Sequence, residues 1–445
     1  MSGLISPPLS LYLHFPWCVR KCPYCDFNSY TLHGELDESR YLEALERDIE
    51  SQAPQVTGRE IVSIFMGGGT PSLFSPLAIQ RVLDAARRSL TFAQDVEVTM
   101  EANPGTIERG RFAEYRAAGV NRVSLGAQSF DAKTLTALGR IHSPDETRRA
   151  AEELHAAGLT NFNLDLMYAL PGQDVTAAML DVESAIALAP THLSHYQLTL
   201  EPGTVFAAQP PELPSDDTAA EILAACGARL EEAGFEQYEV SAYAQAGRRC
   251  RHNLNYWTFG DYLGVGAGAH GKITAAGGPS DSAAKPAGES PGTATHAGES
   301  PGTAPHGGVP PSTATRAGAP PGTSTHAGTI IRTTQPRDPR RYVATTPAAI
   351  TRKPVPEADL PFEFMLNALR LVEGFEIETF AQRTGLEWSA VADEVQRNRE
   401  RGLLAVAGNR VAATKVGLQF LNNLLLSFLT ETPGLTGAFG LSTAI

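Results

Sequence analysis

The chain has 445 residues, 42% of them hydrophobic, which is enough for two or three domains with sizeable cores. Lysine and arginine number 36 against 49 aspartates and glutamates, a net charge of −13. That balance argues against a non-specific nucleic-acid binder, which carries a basic face, and against docking on an anionic membrane surface.

The first two hundred residues alternate strand and helix signals. Residues 11–15 read as a strand. Residues 37–52 repeat Tyr41, Leu42, Leu45 and Ile49 at helical spacing, with Asp37 as N-cap. Residues 61–66 form an apolar strand that runs into three glycines. A helix at 76–89 and a strand at 95–101 follow, then a helix at 109–118 and an extended run at 122–125. Helices at 144–157 and 175–188 precede strands at 161–167 and 192–200. Repeated strand–helix units imply a parallel sheet that curls into an open, partial (β/α) barrel resembling part of a TIM barrel. Ligand chemistry in such sheets sits at the carboxyl ends of the strands. This core spans 1–212. An extension, 213–272, holds a helix at 215–233, a strand-like run at 238–243 and a glycine-rich stretch at 264–271.

Composition then changes. No leucine occurs from 264 to 359, and no Phe, Trp or Tyr from 264 to 341. Four decapeptides stand in register from Pro291, Pro301, Pro311 and Pro321. Such a tract, 273–328, cannot bury enough apolar surface to offset its ordering entropy and is expected to be disordered. The repeat unit alone accounts for His296, His306 and His326. Residues 329–358 are expected as a return linker. A small winged-helix-like domain is expected at 359–430: helices at 362–371 and 388–401, a hairpin at 403–413 turning at Gly408–Asn409, and a closing apolar helix at 415–429. The tail, 431–445, is expected to fray.

The N-terminus lacks a basic region followed by a long apolar run, so no signal peptide is expected. Residues 416–429 are interrupted by Gln419, Asn422 and Asn423, too short and polar to span a bilayer. Of five cysteines, Cys18, Cys22 and Cys25 fall within eight residues, while Cys226 and Cys250 stand apart. An odd, clustered set is no disulfide framework; it suits a reducing, cytoplasmic setting and a metal centre. Three thiolates on one loop can hold zinc, with His14 as the nearby fourth ligand, or an iron–sulfur cluster with one iron left open. The spacing Cys18-x3-Cys22-x2-Cys25, directly after the first strand, favours the cluster.

Four further motifs close strands: Gly67-Gly68-Gly69-Thr70-Pro71, Glu101-Ala102-Asn103-Pro104, Leu125-Gly126-Ala127-Gln128-Ser129 and Asn163-Leu164-Asp165-Leu166-Met167. With the cysteine loop and Tyr24 they resemble the radical S-adenosylmethionine superfamily. Tyr12-Leu13-His14-Phe15-Pro16-Trp17-Cys18 and Cys25-Asp26-Phe27-Asn28 resemble its oxygen-independent coproporphyrinogen oxidase group. Phe27 stands where the true oxidases carry another cysteine. His252-Asn253-Leu254-Asn255-Tyr256-Trp257, an HNxxYW pattern, is similar to the HemW-type haem chaperones. The resemblance covers about 1–272 and 329–430, and the repeat tract departs from it.

The resemblance implies a radical-SAM barrel with a 4Fe–4S cluster on Cys18, Cys22 and Cys25. It also implies S-adenosylmethionine held by Tyr12, Tyr24, Gly68, Gly69, Thr70, Glu101, Gln128, Arg140 and Asp165. Haem is the implied cargo, passed to haem-accepting membrane enzymes, with an electron donor for the cluster, no nucleic acid, and a homodimer left open. His252 divides equally between a loop anchor and a haem-related role. The rival readings are oxidative decarboxylation of coproporphyrinogen III, a radical enzyme acting on RNA, and a zinc protein.

Overall fold

The computed structural model describes residues 4–106, 111–275 and 328–429. The decapeptide tract with its three histidines and the tail 431–445 lie outside the described residues.

Alternation along the strands builds the barrel. In β1 (Leu9–Phe15) Leu11, Leu13 and Phe15 are buried under helices, while Ser10, Tyr12 and His14 alternate with them on the lumen side. Two short strands, β2 (Trp17–Cys18) and β3 (Tyr30–Thr31), pair across the loop that follows. The same two-faced pattern recurs in β4 (Glu60–Gly68), β5 (Thr91–Ala102), β6 (Arg122–Gln128), β7 (Phe162–Tyr168) and β8 (His192–Gln197). Each outward Leu, Ile, Val or Met contributes about 1.5–3 kcal/mol by leaving water, so the helical layer and the sheet hold each other in register.

Local capping places the helices. Asp37 caps α1 (Glu38–Gln52), and Ser75 with Pro76 opens α2 (Pro76–Ser89). After α3 (Arg111–Ala118) and α4 (Ala132–Ala137), Ser143 and Glu146 form a capping box on α5 (Pro144–Ala156). Asp174 caps α6 (Val175–Ala187). The short α7 (Val205–Ala208) and the long α8 (Asp216–Glu232) follow.

Six strands, β1, β4, β5, β6, β7 and β8, run parallel in that order. Past β8 lie β10 (Ala242–Ala244) and β9 (Glu236–Glu239), both antiparallel. On the other side β11 (Asp261–Val265) joins β1 in parallel, then β12 (His270–Ala275), β13 (Thr329–Thr334) and β14 (Thr351–Pro354) continue antiparallel. The result is one twelve-stranded sheet, parallel at its centre, curled into the expected partial barrel.

Several local expectations change. The run 238–243 is two strands with a turn between them, because its chain reverses to pair β9 with β10. The HNxxYW stretch is a helix, α9 (Arg251–Trp257). The sheet runs through Ala275 and resumes at Thr329, so the repeat tract leaves from a β-hairpin. The expected linker 329–358 carries β13, α10 (Pro339–Thr345) and β14.

A second core assembles around Phe364, Phe375, Phe380, Val411 and Leu424. It is built by α11 (Leu360–Ala368), β15 (Phe375–Glu376), α12 (Ile377–Thr384), α13 (Ser389–Glu400) and the wing β16 (Leu404–Ala407) and β17 (Arg410–Ala413). The closing helix is broken at Phe420 into α14 (Lys415–Gln419) and α15 (Leu421–Leu426). This domain docks on the extension through Arg370, whose guanidinium lies 4.4 Å from the Trp257 ring centroid, and through the Arg332–Glu363 ion pair.

Candidate functional site

The cysteine loop leaves β1 at its carboxyl end and is held by backbone bonds on both sides. Tyr30 N donates to Pro16 O, Leu32 N to Cys18 O and Cys25 N to Cys22 O. Lys21 Nζ donates to the carbonyls of Phe27 and Ser29 at 2.9 and 3.1 Å. All three loop cysteines are free and half-buried. Burial pushes the Cys18 and Cys25 thiols up. Arg140 Nη1 donates to Cys22 Sγ at 3.6 Å, and its Nε is buried without a partner among the described residues. A guanidinium against the loop would offset the charge of thiolates holding a cluster there.

Among the described residues, no three His, Cys, Asp or Glu side chains converge tightly enough for a single metal ion. Zinc, with Zn–S bonds of about 2.3 Å, demands that convergence. His14 is not the free fourth ligand that the sequence offered. Its Nε2 donates to Asn28 O at 2.9 Å, which leaves Nδ1 to accept from Tyr12 Oη at 2.9 Å. Burial drives its pKa down to about 4, so the ring is neutral and ties the lumen to the loop.

The strand-end motifs converge on the same mouth. Gly68 N donates to Glu101 Oε2 at 3.1 Å. A Cβ on Gly68, whose φ is +110°, would sit 2.2 Å from the His14 ring. A Cβ on Gly69 would lie 2.6 Å from Trp17 O and 2.7 Å from Phe15 O. The glycines are thus needed by the close approach of the cysteine loop itself. Thr70 N donates to Trp17 O, fixing the same contact.

Glu101 is half-buried, accepts that single bond, and is raised to about 8 by burial, with Asp165 adding to the shift. Asp165 accepts from Ser124 Oγ at 3.1 Å and Asn163 Nδ2 at 2.7 Å; burial raises it too. Gln128 adopts φ +68° beside a register shift in β6, and its Oε1 accepts from Tyr196 Oη at 2.7 Å. Arg140 Nη2 donates to Gly126 O at 2.8 Å. Tyr24 packs toward Phe206 of α7, whose N–H donates to Pro23 O. Tyr12, Tyr24, Glu101, Arg140 and Asp165 all stay half-buried, because their exposed portions face the lumen. An under-bonded carboxyl, a second carboxyl, a guanidinium and an amide around one opening suit a zwitterionic ligand.

His252 reaches the lumen from the opposite end. Its ring stacks on Phe65 at 4.7 Å and lies 6.2 Å from Tyr12, and it is 9% exposed. Its Nδ1 is buried without a hydrogen-bond partner among the described residues, and burial lowers its pKa to about 4. The rest of the motif locks the floor: Asn255 Nδ2 donates to Ser10 Oγ and Asp261 O, both at 2.8 Å. The structure therefore places His252 on the lumen side beside Tyr12 and Phe65, largely buried. Sequence reading missed Tyr196 and the tethering role of His14. The alternation His192, Ser194, Tyr196 was the available signal for the first.

Comparisons with known proteins agree with this geometry. Residues 12–179 match the Radical SAM superfamily and 355–420 the HemN C-terminal domain. The chain is 42% identical over 425 residues to the heme chaperone HemW of Escherichia coli, covering 96% of this chain and 99% of that one. The Haemophilus influenzae heme chaperone HemW is 40% identical over 429 residues, at 96% and 99% coverage. The solved coproporphyrinogen III oxidase HemN of Escherichia coli superposes with TM-score 0.71 at 21% identity, covering 96% of this chain and 91% of that one, a likeness of fold. With full-length identity of this order, the chain belongs to the HemW family of the radical SAM superfamily.

Proposed function

We propose that this chain is a cytoplasmic haem chaperone that carries a 4Fe–4S cluster on Cys18, Cys22 and Cys25 and passes haem to haem-dependent membrane enzymes. The observation that carries the reading is the full-length similarity to proteins named heme chaperone HemW. Phe27, 42% exposed on the cysteine loop, supports it against the oxidase, since no fourth thiol stands there. Among the described residues no helix is long and apolar enough to cross a membrane.

Bound on that loop, a cluster of this kind supplies low-potential electron transfer. The chain's own residues do the rest. Tyr24, Gly68, Gly69 and Thr70 shape the mouth, and Glu101 and Asp165 take the ligand's ammonium and hydroxyl groups. Gln128 and Arg140 offer donors to its carboxylate. Tyr12 is aimed by His14, so ligand and loop move together.

The test is anaerobic reconstitution of the full chain, followed by haem titration and, in parallel, incubation with coproporphyrinogen III, S-adenosylmethionine and a reductant. Stoichiometric haem binding without porphyrinogen turnover is expected. Formation of protoporphyrinogen would overturn the chaperone reading in favour of the oxidase. Replacing any of Cys18, Cys22 or Cys25 by Ala is expected to abolish the cluster's visible absorbance.

A further inference from the structure

At the end of the barrel opposite the cysteine loop, an open cavity of about 380 Å³ lies where the C-terminal domain meets the first strand. Ile5, Pro8, Arg59, Glu60, Gln382 and Arg383 are among its walls. Ile5 N donates to Gln382 O at 3.2 Å, so the wall is a junction between the barrel and α12.

The charges there do not balance. Asp261 Oδ1 accepts from Lys272 Nζ and Thr274 Oγ1, and its Oδ2 accepts from Arg59 Nη1 and Thr274 N, all at 2.8–2.9 Å. Four bonds use the four lone-pair directions of a carboxylate. Arg59 Nη2 donates to Pro7 O at 2.6 Å. Arg383 is left over. Its Nε is buried without a partner, and it forms no hydrogen bond or ion pair among the described residues. Glu60, on the rim, is exposed and pairs with neither arginine. Burial and the neighbouring Arg59 both lower the Arg383 pKa against the pull of Asp261. A half-buried guanidinium beside a second cation, with the Asp261 carboxylate already filled and Glu60 turned to solvent, is an unfavourable arrangement.

We propose that this cavity is an oxyanion-binding site, in which Arg383 receives a carboxylate or phosphate at the junction of the two domains. Guanidinium recognises either group through paired N–H donors. The apolar side of the cavity, Ile5 with Pro7, Pro8 and Leu9, favours a carboxylate carried on an apolar body. Inorganic phosphate and the propionate arms of haem share this chemistry. The site is independent of the cysteine loop, so its failure would leave the cluster reading untouched.

The cluster-reconstituted full chain is titrated at constant ionic strength with inorganic phosphate and with butyrate, by calorimetry and by thermal unfolding. Saturable one-to-one binding and a rising unfolding midpoint are expected for the unsubstituted chain. Arg383→Met is expected to weaken binding at least tenfold and to remove the anion-dependent rise. It is also expected to leave the anion-free midpoint equal or higher, which loss of a purely structural arginine would not. Arg383→Lys keeps the charge and is expected to bind between the two. Haem displacing phosphate would identify propionates as the source; saturating phosphate with no effect on haem would identify a separate anion. Equal responses of the Met variant and the unsubstituted chain, or no saturable binding, would overturn the proposal.

Discussion

Asp261 at the base of the barrel and Glu101 at its mouth are carboxylates on one sheet. Asp261 accepts four hydrogen bonds, two of them ion pairs with Arg59 and Lys272, while Glu101 accepts one bond, from Gly68 N. Asp261 has been saturated by its own neighbours; Glu101 keeps its oxygens in reserve. Burial, with Asp165 nearby, raises Glu101 to about 8 because the single bond from Gly68 N does not offset the lost hydration of its charge. Starved polar groups around an opening mark a site that a ligand completes, whereas a saturated cluster marks a joint.

The largest effect that tests this contrast lies at the base. Lys272 is 1% exposed and pairs with Asp261 at 2.9 Å, with its ammonium 4.2 Å from the Phe259 ring centroid. Lys272→Met removes one partner of a buried pair and is expected to cost about 3–5 kcal/mol in denaturant unfolding. S-adenosylmethionine affinity of the folded fraction should stay unchanged. A cost below about 1 kcal/mol would show that the base is not held by its ions.

Asp48, in the helical layer, is intermediate. It accepts from Tyr342 Oη, Gln335 Nε2, Gln52 Nε2 and Gly266 N, yet burial still raises its pKa from 3.8 to about 6. A carboxyl with a raised native pKa binds its proton more tightly when folded, so its contribution to stability falls as pH rises from about 4 to about 6. The difference in stability between the unsubstituted chain and Asp48→Asn should shrink by about 3 kcal/mol across that window. A flat difference would place the charged form at ease in its network.

The smallest effect lies at the mouth. Below about pH 4.5, where the Glu101 carboxyl is protonated folded or unfolded, Glu101→Gln is expected to change stability by less than about 1 kcal/mol, because the carboxyl makes a single bond in the free chain. It should weaken S-adenosylmethionine binding at least tenfold, about 1.4 kcal/mol, by equilibrium titration. Retained affinity would move the ligand's ammonium elsewhere in the lumen.

The fold was legible in the sequence wherever a local signal was strong. The Asp37 cap and the helical spacing after it, the helix at 76–89 and the strand readings at 11–15, 61–66 and 161–167 fall within two residues of α1, α2, β1, β4 and β7. The cysteine spacing and the strand-end glycines were equally visible, since chemistry of this kind needs fixed residue types at fixed offsets. Short elements were not: α9 and α12, of seven and eight residues, have too few turns to display a period.

By itself, the sequence determined the strand–helix order, the three-thiol loop and the family. Tertiary structure alone decided that His14 binds Asn28 O and Tyr12 rather than a metal, that His252 lies on the floor of the lumen, and that Asp261 has no acceptor left for Arg383. The reason is distance along the chain. Capping and alternation act over a few residues and leave a readable pattern. Asp48 meets Gln335 and Tyr342 across 287 and 294 positions, and no local pattern records such a pairing.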